Sequence, residues 1–381
     1  MSSVDFIEHP ARDGYRIGEI RLNAERSLNA LTLEMIEAML ARLAAWEDDP
    51  GLAAVVLGGA GDKALCAGAD VVALYRGITA PDEVPAEALQ GAPDFAERYF
   101  AREYRLDYTL HTYAKPVIVW GSGIVMGGGM GLLSGGSHRV VTETTRLAMP
   151  EVTIGLYPDV AASWFLNPLP GNMGRFLALT GSQLNARDAR RLGFADRLLA
   201  SDSREALLRE LADADWPAAA RDAHGVVSNV LRGLEREADE AGLFDAMPTP
   251  TAEHAERVRK LMDHDTVEQQ VAAILDDESD ADWLARARQT LANGSPLSIK
   301  LIDAQLSRTR YMSLAQVLRS ELALSVQCCR LGDLAEGVRA LLVDKDRDPQ
   351  FRYARLADVE PAFVETMLAD LWEESPLADL D

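Results

Sequence analysis

The chain has 381 residues, 48% of them apolar, and no stretch approaches the roughly 18 consecutive apolar residues that a membrane span requires. Its 60 acidic residues outnumber the 38 basic ones and give a formal net charge of −22. This charge disfavours nucleic-acid binding, which needs a basic face, but leaves room for a small anionic ligand.

The first 150 residues alternate between strand-like and helix-like patterns. Residues 4–22 read as two short strands, and residues 28–50 form an apolar helical pattern that stops at Asp-Asp-Pro. A buried strand, LAAVVLGG, then leads through CAGAD into a helix, and residues 77–93, rich in proline and acid, predict a surface loop or lid. A helix, a strand–glycine turn–helix and two short strands complete the pattern, which predicts an α/β fold.

Beyond about residue 200 the sequence becomes mainly helical. Segments such as AEHAERVRKLMD and SLAQVLRSELALSVQCC are amphipathic and are separated by glycine, proline and acidic clusters. We therefore divide the chain into an α/β core, residues 1–200, and a helical C-terminal region, residues 201–381.

The cysteines, the histidines and the N-terminal residues predict an unexported protein without a metal site. Three cysteines form no CxxC pair and no even framework, which favours a reducing compartment. Six scattered histidines show no ligand spacing. The first 23 residues have neither an apolar signal core nor an amphipathic leader, so we expect a cytoplasmic location.

Two small-residue turns are candidate sources of backbone hydrogen-bond donors. MGGGMG follows a predicted strand and opens a predicted helix, but the dinucleotide pattern GxGxxG fails at Leu132. Its glycines let a backbone N–H approach a ligand at a helix N-terminus, and CAGAD offers a second N–H at Ala69. Two such donors are the ingredients of an oxyanion hole. Each loop taken alone is more simply explained as a tight turn with close helix packing.

Two acidic residues interrupt an apolar stretch, LAMPEVTIGLYPDV. Glu151 is predicted at a strand end with no basic neighbour in sequence, where desolvation would raise its pKa into a range useful for acid–base chemistry. Asp159 precedes VAASWFL and is read most simply as an N-cap, although two carboxylates in different environments also suit a division of catalytic roles.

Five segments together resemble the crotonase (enoyl-CoA hydratase/isomerase) superfamily. They are CAGAD, MGGGMGL, AMPEVTIGLYPDV, LALTG and GDLAEGVRALLVDKDRDPQF, in that order. The resemblance implies a spiral of ββα units followed by C-terminal helices, and binding of acyl-CoA thioesters with no separate cofactor. It also implies that the N–H groups of Ala69 and Gly128 hold the thioester oxygen. Hydratases of the superfamily carry a glutamate where this chain has Gly131, so hydration by two glutamates is not expected.

The resemblance is greatest to the hydroxyacyl-CoA hydrolase branch, which implies hydrolysis of a short β-hydroxyacyl-CoA, most simply 3-hydroxyisobutyryl-CoA, in valine breakdown. Glu151 would attack the carbonyl or activate water, and Asp159, in the PDV motif, would orient a reacting group or bind the substrate hydroxyl. Glu103 matches a substrate-pocket glutamate of this branch, with an exposed helix glutamate as the alternative. The branch favours glycines after PDV, so Ala161, Ala162 and Ser163 are predicted to reshape the acyl pocket.

By motif position the CoA part of the substrate would lie along one loop and one turn. The predicted contacts are Arg26 and Leu28, together with the backbone of Ala67, Gly68, Ala69 and Asp70. Arg26 is a candidate phosphate contact, or else a solvated loop arginine. The C-terminal helices are a possible surface for homo-oligomers.

Two other functions remain open at this point. An enoyl-CoA isomerase or atypical hydratase would use one acid to shuttle a proton. A non-catalytic scaffold would need neither the acids nor the donor loops.

Overall fold

A computed structural model describes residues 3–216 and 222–381. The chain divides into two compact units, each assembled from three separate stretches. The first unit comprises the chain up to Ala69, Leu106–Leu147 and Leu184–Thr251; the second comprises Asp70–Arg105, Ala148–Gln183 and Ala252–Asp381. The division at residue 200 rests on a change in sequence pattern and stays a prediction.

The strands form a six-stranded sheet and a three-stranded sheet. In chain order they are β1 (Val4–Pro10), β2 (Arg16–Leu22), β3 (Leu52–Gly59), β4 (Ala64–Cys66), β5 (Val117–Gly121), β6 (Ile124–Met126), β7 (His138–Val141), β8 (Arg146–Ala148) and β9 (Arg197–Leu198). The large sheet has the order β1-β2-β3-β5-β7-β9, and the small sheet has the order β4-β6-β8.

From β3 onward, consecutive strands alternate between the two sheets. The β1–β2 pair is antiparallel, whereas β2, β3, β5, β7 and β9 pair in parallel. Within β3–β4, β5–β6 and β7–β8, the first strand joins the large sheet and the second joins the small one. Every residue of β3 is buried, as expected for a parallel strand covered on both faces. This repetition is the predicted spiral of ββα units.

The helices of the first 200 residues mostly follow these strand pairs. They are α1 (Leu33–Glu47), α2 (Val71–Thr79), α3 (Ala86–Leu89), α4 (Phe95–Thr112), α5 (Gly128–Gly135), α6 (Ala162–Leu166), α7 (Met173–Thr180) and α8 (Ala186–Leu192). The predicted loop at residues 77–93 is partly wrong, because α2 continues to Thr79 and α3 forms a further turn.

The rest of the described chain is helical apart from its connections. Its α-helices are α9 (Arg204–Asp213), α10 (Ala223–Glu240), α11 (Pro250–Glu253), α12 (Ala255–Leu261), α13 (Val267–Leu275), α14 (Asp282–Ala292), α15 (Pro296–Thr309), α16 (Leu314–Arg330), α17 (Leu334–Val338) and α18 (Pro361–Met367). The predicted α/β fold with a helical C-terminal region is confirmed. No helix in the described ranges has the length and apolar character of a membrane span.

In the first unit, α9 and α10 cover one face of the large sheet. Leu207 and Leu211 of α9 and Val227 and Leu231 of α10 pack with sheet residues such as Val56 in one buried cluster. Their spacing of four residues places each pair on one side of its helix. The face of the large sheet that carries Val56 is therefore buried beneath these two helices.

Candidate active site

The loops that follow β4 and β6 are neighbours, because these strands pair in parallel within the first unit. A Cβ added at Gly129 would lie 2.3 Å from the carbonyl oxygen of Cys66, so only glycine fits there. A Cβ added at Gly68, where φ is +116°, would lie 3.8 Å from the nitrogen of Gly128. The two bends predicted to supply amide donors thus approach each other closely.

Both candidate amides lack a backbone partner in this region. Gly128 is the first residue of α5, and the first N–H groups of a helix have no acceptor within it. Neither Ala69 nor Gly128 donates its N–H in a backbone hydrogen bond of the described turns and loops. These two N–H groups remain available to an external oxygen, and at Gly128 the helix dipole favours negative charge.

The predicted CoA loop is fixed by a buried asparagine. The side-chain amide of Asn29 donates to the carbonyl oxygens of Ala60 and Ala64, and its oxygen accepts the N–H of Ala24. Leu28 and Asn29 adopt consecutive positive φ angles of +53° and +57°. The sequence did not reveal this turn, since Asn29 resembles any loop asparagine until its long-range partners are known.

The loop is joined directly to the CAGAD turn. The N–H of Ala67 donates to the carbonyl oxygen of Leu28 at 3.0 Å, and the N–H of Leu31 donates to that of Gly68 at 2.8 Å. Arg26 is exposed, forms no ion pair among the described residues, and lines a cleft of about 210 Å³ together with Lys63. Four of the predicted CoA contacts, Arg26, Leu28, Ala67 and Gly68, therefore lie together in the first unit.

The remaining predicted residues belong to the second unit. Asp70 caps α2, its side chain accepting the N–H of Ala73 at 3.0 Å. Glu103, on α4, is only 1% exposed, so the exposed-helix alternative is wrong.

Glu151 opens a 3₁₀ turn, Glu151–Ile154, and does not end a strand as predicted, since β8 stops at Ala148. Gly155 closes the turn in a left-handed conformation with φ +75°, and the N–H of Leu156 donates to the carbonyl oxygen of Glu151 at 3.0 Å. A Cβ at Gly337 would lie 2.3 Å from the carbonyl carbon of Ile154. This close approach of α17 holds the turn in place.

The Glu151 carboxyl is buried and only partly satisfied. Its Oε2 atom has no hydrogen-bond partner among the described residues. Burial raises the pKa of Glu151 well above its ordinary value, and the neighbouring Asp159 charge raises it further. A desolvated carboxyl with a vacant acceptor oxygen suits a nucleophile or a general base.

Asp159 is not a helix cap. The N-cap of α6 is Ala161, which has no capping side chain, and the Asp159 Oδ2 atom instead accepts the O–H of Tyr104 at 2.6 Å. Burial raises the pKa of Asp159 to about 6, while the Tyr104 hydrogen bond opposes the increase. The N-cap interpretation made from the sequence is therefore wrong.

The backbone directly after Asp159 is strained. Val160 and Ala161 have φ angles of +53° and +68°, although neither is glycine and Val160 is β-branched. Each such residue costs on the order of 1–3 kcal/mol and persists only where its surroundings determine the conformation. Glycine would adopt these angles without strain. The hydroxyacyl-CoA hydrolase pattern favours glycines after PDV, whereas this chain has Ala161 there.

Two tyrosines that are bridged by a serine, one of them bonded to Asp159, were missed from the sequence. The hydroxyl of Ser325, on α16, lies 2.6 Å from the Tyr104 hydroxyl and 2.9 Å from that of Tyr157. Burial raises the pKa of both tyrosines, so both are neutral hydrogen-bond donors. The only sequence signal was a serine on the apolar stripe of an amphipathic helix.

The model of the enoyl-CoA hydratase/isomerase family matches residues 17–368. The chain belongs to this family. This chain is 37% identical over 358 residues to 3-hydroxyisobutyryl-CoA hydrolase, mitochondrial, of Danio rerio. The match covers 94% of this chain and 88% of the relative. The chain is 35% identical to the protein of the same name from Homo sapiens, over 90% of this chain and 83% of the relative.

Solved structures of similar proteins include enzymes named for other activities. A carnitinyl-CoA dehydratase from Mycobacterium thermoresistibile superposes on this chain with a TM-score of 0.82 at 33% identity. The superposition covers 100% of this chain and 99% of the dehydratase. An enoyl-CoA hydratase from Rhodobacter sphaeroides 2.4.1 superposes with a TM-score of 0.78 at 28% identity, covering 97% of this chain and 98% of the hydratase. The crotonase resemblance is thus confirmed over nearly the whole chain.

Proposed function

We propose that the protein hydrolyses a short β-hydroxyacyl-CoA thioester, with 3-hydroxyisobutyryl-CoA as the expected substrate and valine breakdown as the expected pathway. The observation that carries the proposal is the buried acid pair of the second unit, Glu151 with its vacant Oε2 atom and Asp159 bonded to Tyr104. Relatives named 3-hydroxyisobutyryl-CoA hydrolase at 34–37% identity support the choice of ester.

In the proposed reaction, the N–H groups of Ala69 and Gly128 bind the thioester oxygen, where negative charge develops. Removing one such donor typically costs about 3–4 kcal/mol of transition-state stabilisation. Glu151 either attacks the carbonyl carbon or takes a proton from the attacking water, and Asp159 orients the reacting groups. Overall, one water is consumed, the C–S bond breaks, and CoA leaves as the free thiol with the hydroxy acid.

The direct test is release of free thiol from 3-hydroxyisobutyryl-CoA. We expect release with the wild type and at least a 100-fold lower kcat with Glu151→Gln, because the amide can neither attack nor accept the proton. Glu278→Gln, the same change at an exposed position, is the matched control and should keep wild-type activity. Absence of thiol release above background from this and other short hydroxyacyl-CoA esters would reject hydrolysis. Appearance of ¹⁸O in Glu151 after turnover in ¹⁸O-water would show nucleophilic attack with hydrolysis at the glutamyl carbonyl, since a general base keeps its own oxygens.

The second candidate is an enoyl-CoA isomerase or atypical hydratase, favoured by the similarity to the solved carnitinyl-CoA dehydratase and enoyl-CoA hydratase. Against it, Gly131 stands where the superfamily's hydratases carry a glutamate, and it lies buried in α5 without a side chain. Exchange of the substrate α-proton with deuterium oxide, without CoA release, would favour this candidate over hydrolysis.

A further inference from the structure

The segment after Asp159 is held by a buried carboxyl from α16. The Glu321 Oε2 atom accepts the N–H of Ala161 at 2.7 Å, and its Oε1 atom accepts the N–H of Ser163 at 3.1 Å. Glu321 has no exposed surface. Closely spaced N–H groups in a turn form a concave anion-binding arrangement, and here the protein itself supplies the acidic group.

These hydrogen bonds act on the strained part of the backbone. Ala161 is the second of the two left-handed residues, and Ser163 follows two positions later. A left-handed conformation at non-glycine residues persists only when neighbouring groups impose it. Glu321 is placed to impose it, and Asp159 stands immediately before the strained pair.

The same face of α16 also reaches the Asp159 side chain. Ser325 lies one helical turn after Glu321 and hydrogen-bonds with Tyr104, which donates to Asp159. The Glu321 carbonyl oxygen in addition accepts the O–H of Tyr157 at 2.8 Å. Helix α16 thus holds Asp159 in two ways. Glu321 binds the backbone that follows Asp159, and Ser325 reaches the Asp159 carboxyl through Tyr104.

We propose that Glu321 is a positioning residue, which fixes the left-handed turn at Val160 and Ala161 and thereby orients the Asp159 carboxyl toward the thioester. This inference rests on the proposed hydrolysis for its functional consequence. Glu321 lies outside every motif that carries the family resemblance. Its role is carried by the two hydrogen bonds and the strained turn that they hold.

The first test is Glu321→Gln. Glutamine keeps the length and one acceptor oxygen, but its NH₂ group faces one of the two backbone N–H donors and cannot accept from it. We expect kcat to fall at least tenfold while KM stays within threefold, because substrate binding is retained and the orientation of Asp159 is lost. Glu278→Gln, at an exposed glutamate, is again the matched control.

A second substitution separates positioning from simple packing. Glycine adopts positive φ without steric cost, so Ala161→Gly in the Glu321→Gln background should restore kcat at least threefold. If Glu321 only filled the core, Glu321→Gln would lower the melting temperature. In that case Ala161→Gly, which changes a turn and not the packing around Glu321, would not restore kcat.

Amide hydrogen exchange over residues 157–166 gives a readout that does not depend on activity. We expect faster exchange in Glu321→Gln than in the wild type. If the wild type releases no CoA, the proposed hydrolysis fails, and the exchange still decides whether Glu321 holds the turn. The inference is overturned if kcat stays within twofold of the wild type, if exchange is unchanged, or if Ala161→Gly restores no activity.

Discussion

Glu151 is buried at a thermodynamic cost that a catalytic role would explain. An isolated carboxylate in an apolar site is destabilising, and the usual response is a raised pKa or a hydrogen-bonded partner. The Oε2 atom of Glu151 has no such partner among the described residues, and the Asp159 charge lies close enough to raise its pKa further. A structural role would be better served by glutamine or an apolar residue at this position.

This cost predicts a pH-dependent gain in stability for Glu151→Gln. The folded-state pKa of Glu151 lies above its unfolded value, so the wild type loses stability as pH rises toward the folded pKa. The amide never ionises and avoids that loss. Each unit of pKa elevation corresponds to about 1.4 kcal/mol. We therefore expect the melting temperature of the variant to exceed that of the wild type, by more at pH 8 than at pH 5.5.

Thermal unfolding of both proteins across this pH range measures the difference. Glu278→Gln, at an exposed glutamate, should give a difference near zero at every pH. A Glu151→Gln difference that is independent of pH would mean that burial does not oppose ionisation of this carboxyl, and it would remove the physical argument for a raised pKa.

Among the acidic residues, the sequence predicted the importance of those that lie in motifs but not of those that lie elsewhere. Glu151 was recognisable because it interrupts an apolar stretch. The role of Asp159 was ambiguous, since an aspartate before a helix is usually a cap. The start of α6 at Ala162 and the contact of Asp159 with Tyr104 decide against a cap. Glu321 and Ser325 gave a weaker signal, as polar residues on the apolar stripe of α16, because their partners lie more than 150 positions away in the chain.

Among the helices, α5 and α10 both contain glycine, but close packing requires it only in α5. Gly129 in α5 lies against the backbone of β4, and an added Cβ would meet the Cys66 carbonyl oxygen at 2.3 Å. Gly225 in α10 has no atom within 4 Å of the position where a Cβ would be. The first glycine is required by close packing, whereas the second only adds conformational entropy to the unfolded chain.

Alanine substitutions at these glycines should therefore have opposite effects. We expect Gly129→Ala to destabilise the protein by about 1–3 kcal/mol and to reduce kcat, because α5 and the Gly128 amide must shift. Gly225→Ala should stabilise the protein by roughly 0.5–1 kcal/mol and leave kcat unchanged. Urea unfolding and thiol release measure both. Equal effects of the two substitutions would contradict the close approach of α5 to β4.

The sequence predicted helices and strands where the apolar period is strong. It failed where a local turn determines the backbone conformation. The sequence pattern located β1, β2 and β3 correctly. It also predicted α1, but this helix begins at Leu33, five residues after the start of the apolar pattern at Leu28. It missed the 3₁₀ turn at Glu151, because the residue follows Pro150 in a stretch that also reads as a strand. The turn depends on Gly155 and on packing by Gly337, and only the latter contact fixes its place.

At the level of the whole molecule, the fold class followed from the sequence but the two compact units did not. Each unit gathers stretches separated by dozens of residues, and composition along the chain carries no mark of that grouping. Net charge, by contrast, is fully given by the sequence at −22. It acts on any charged ligand that approaches from solution, at distances set by the ionic strength.

This charge predicts an unusual salt dependence for a CoA ester. The phosphates of CoA are repelled by the net negative protein, and the screening length shortens from about 30 Å at 0.01 M salt to about 8 Å at 0.15 M. We expect kcat/KM for the CoA ester to rise about two- to fivefold over this range. The corresponding pantetheine ester lacks the nucleotide phosphates and serves as the control, with no change expected. A fall with added salt would instead show that local cations such as Arg26 and Lys63, which line one cleft, dominate the encounter.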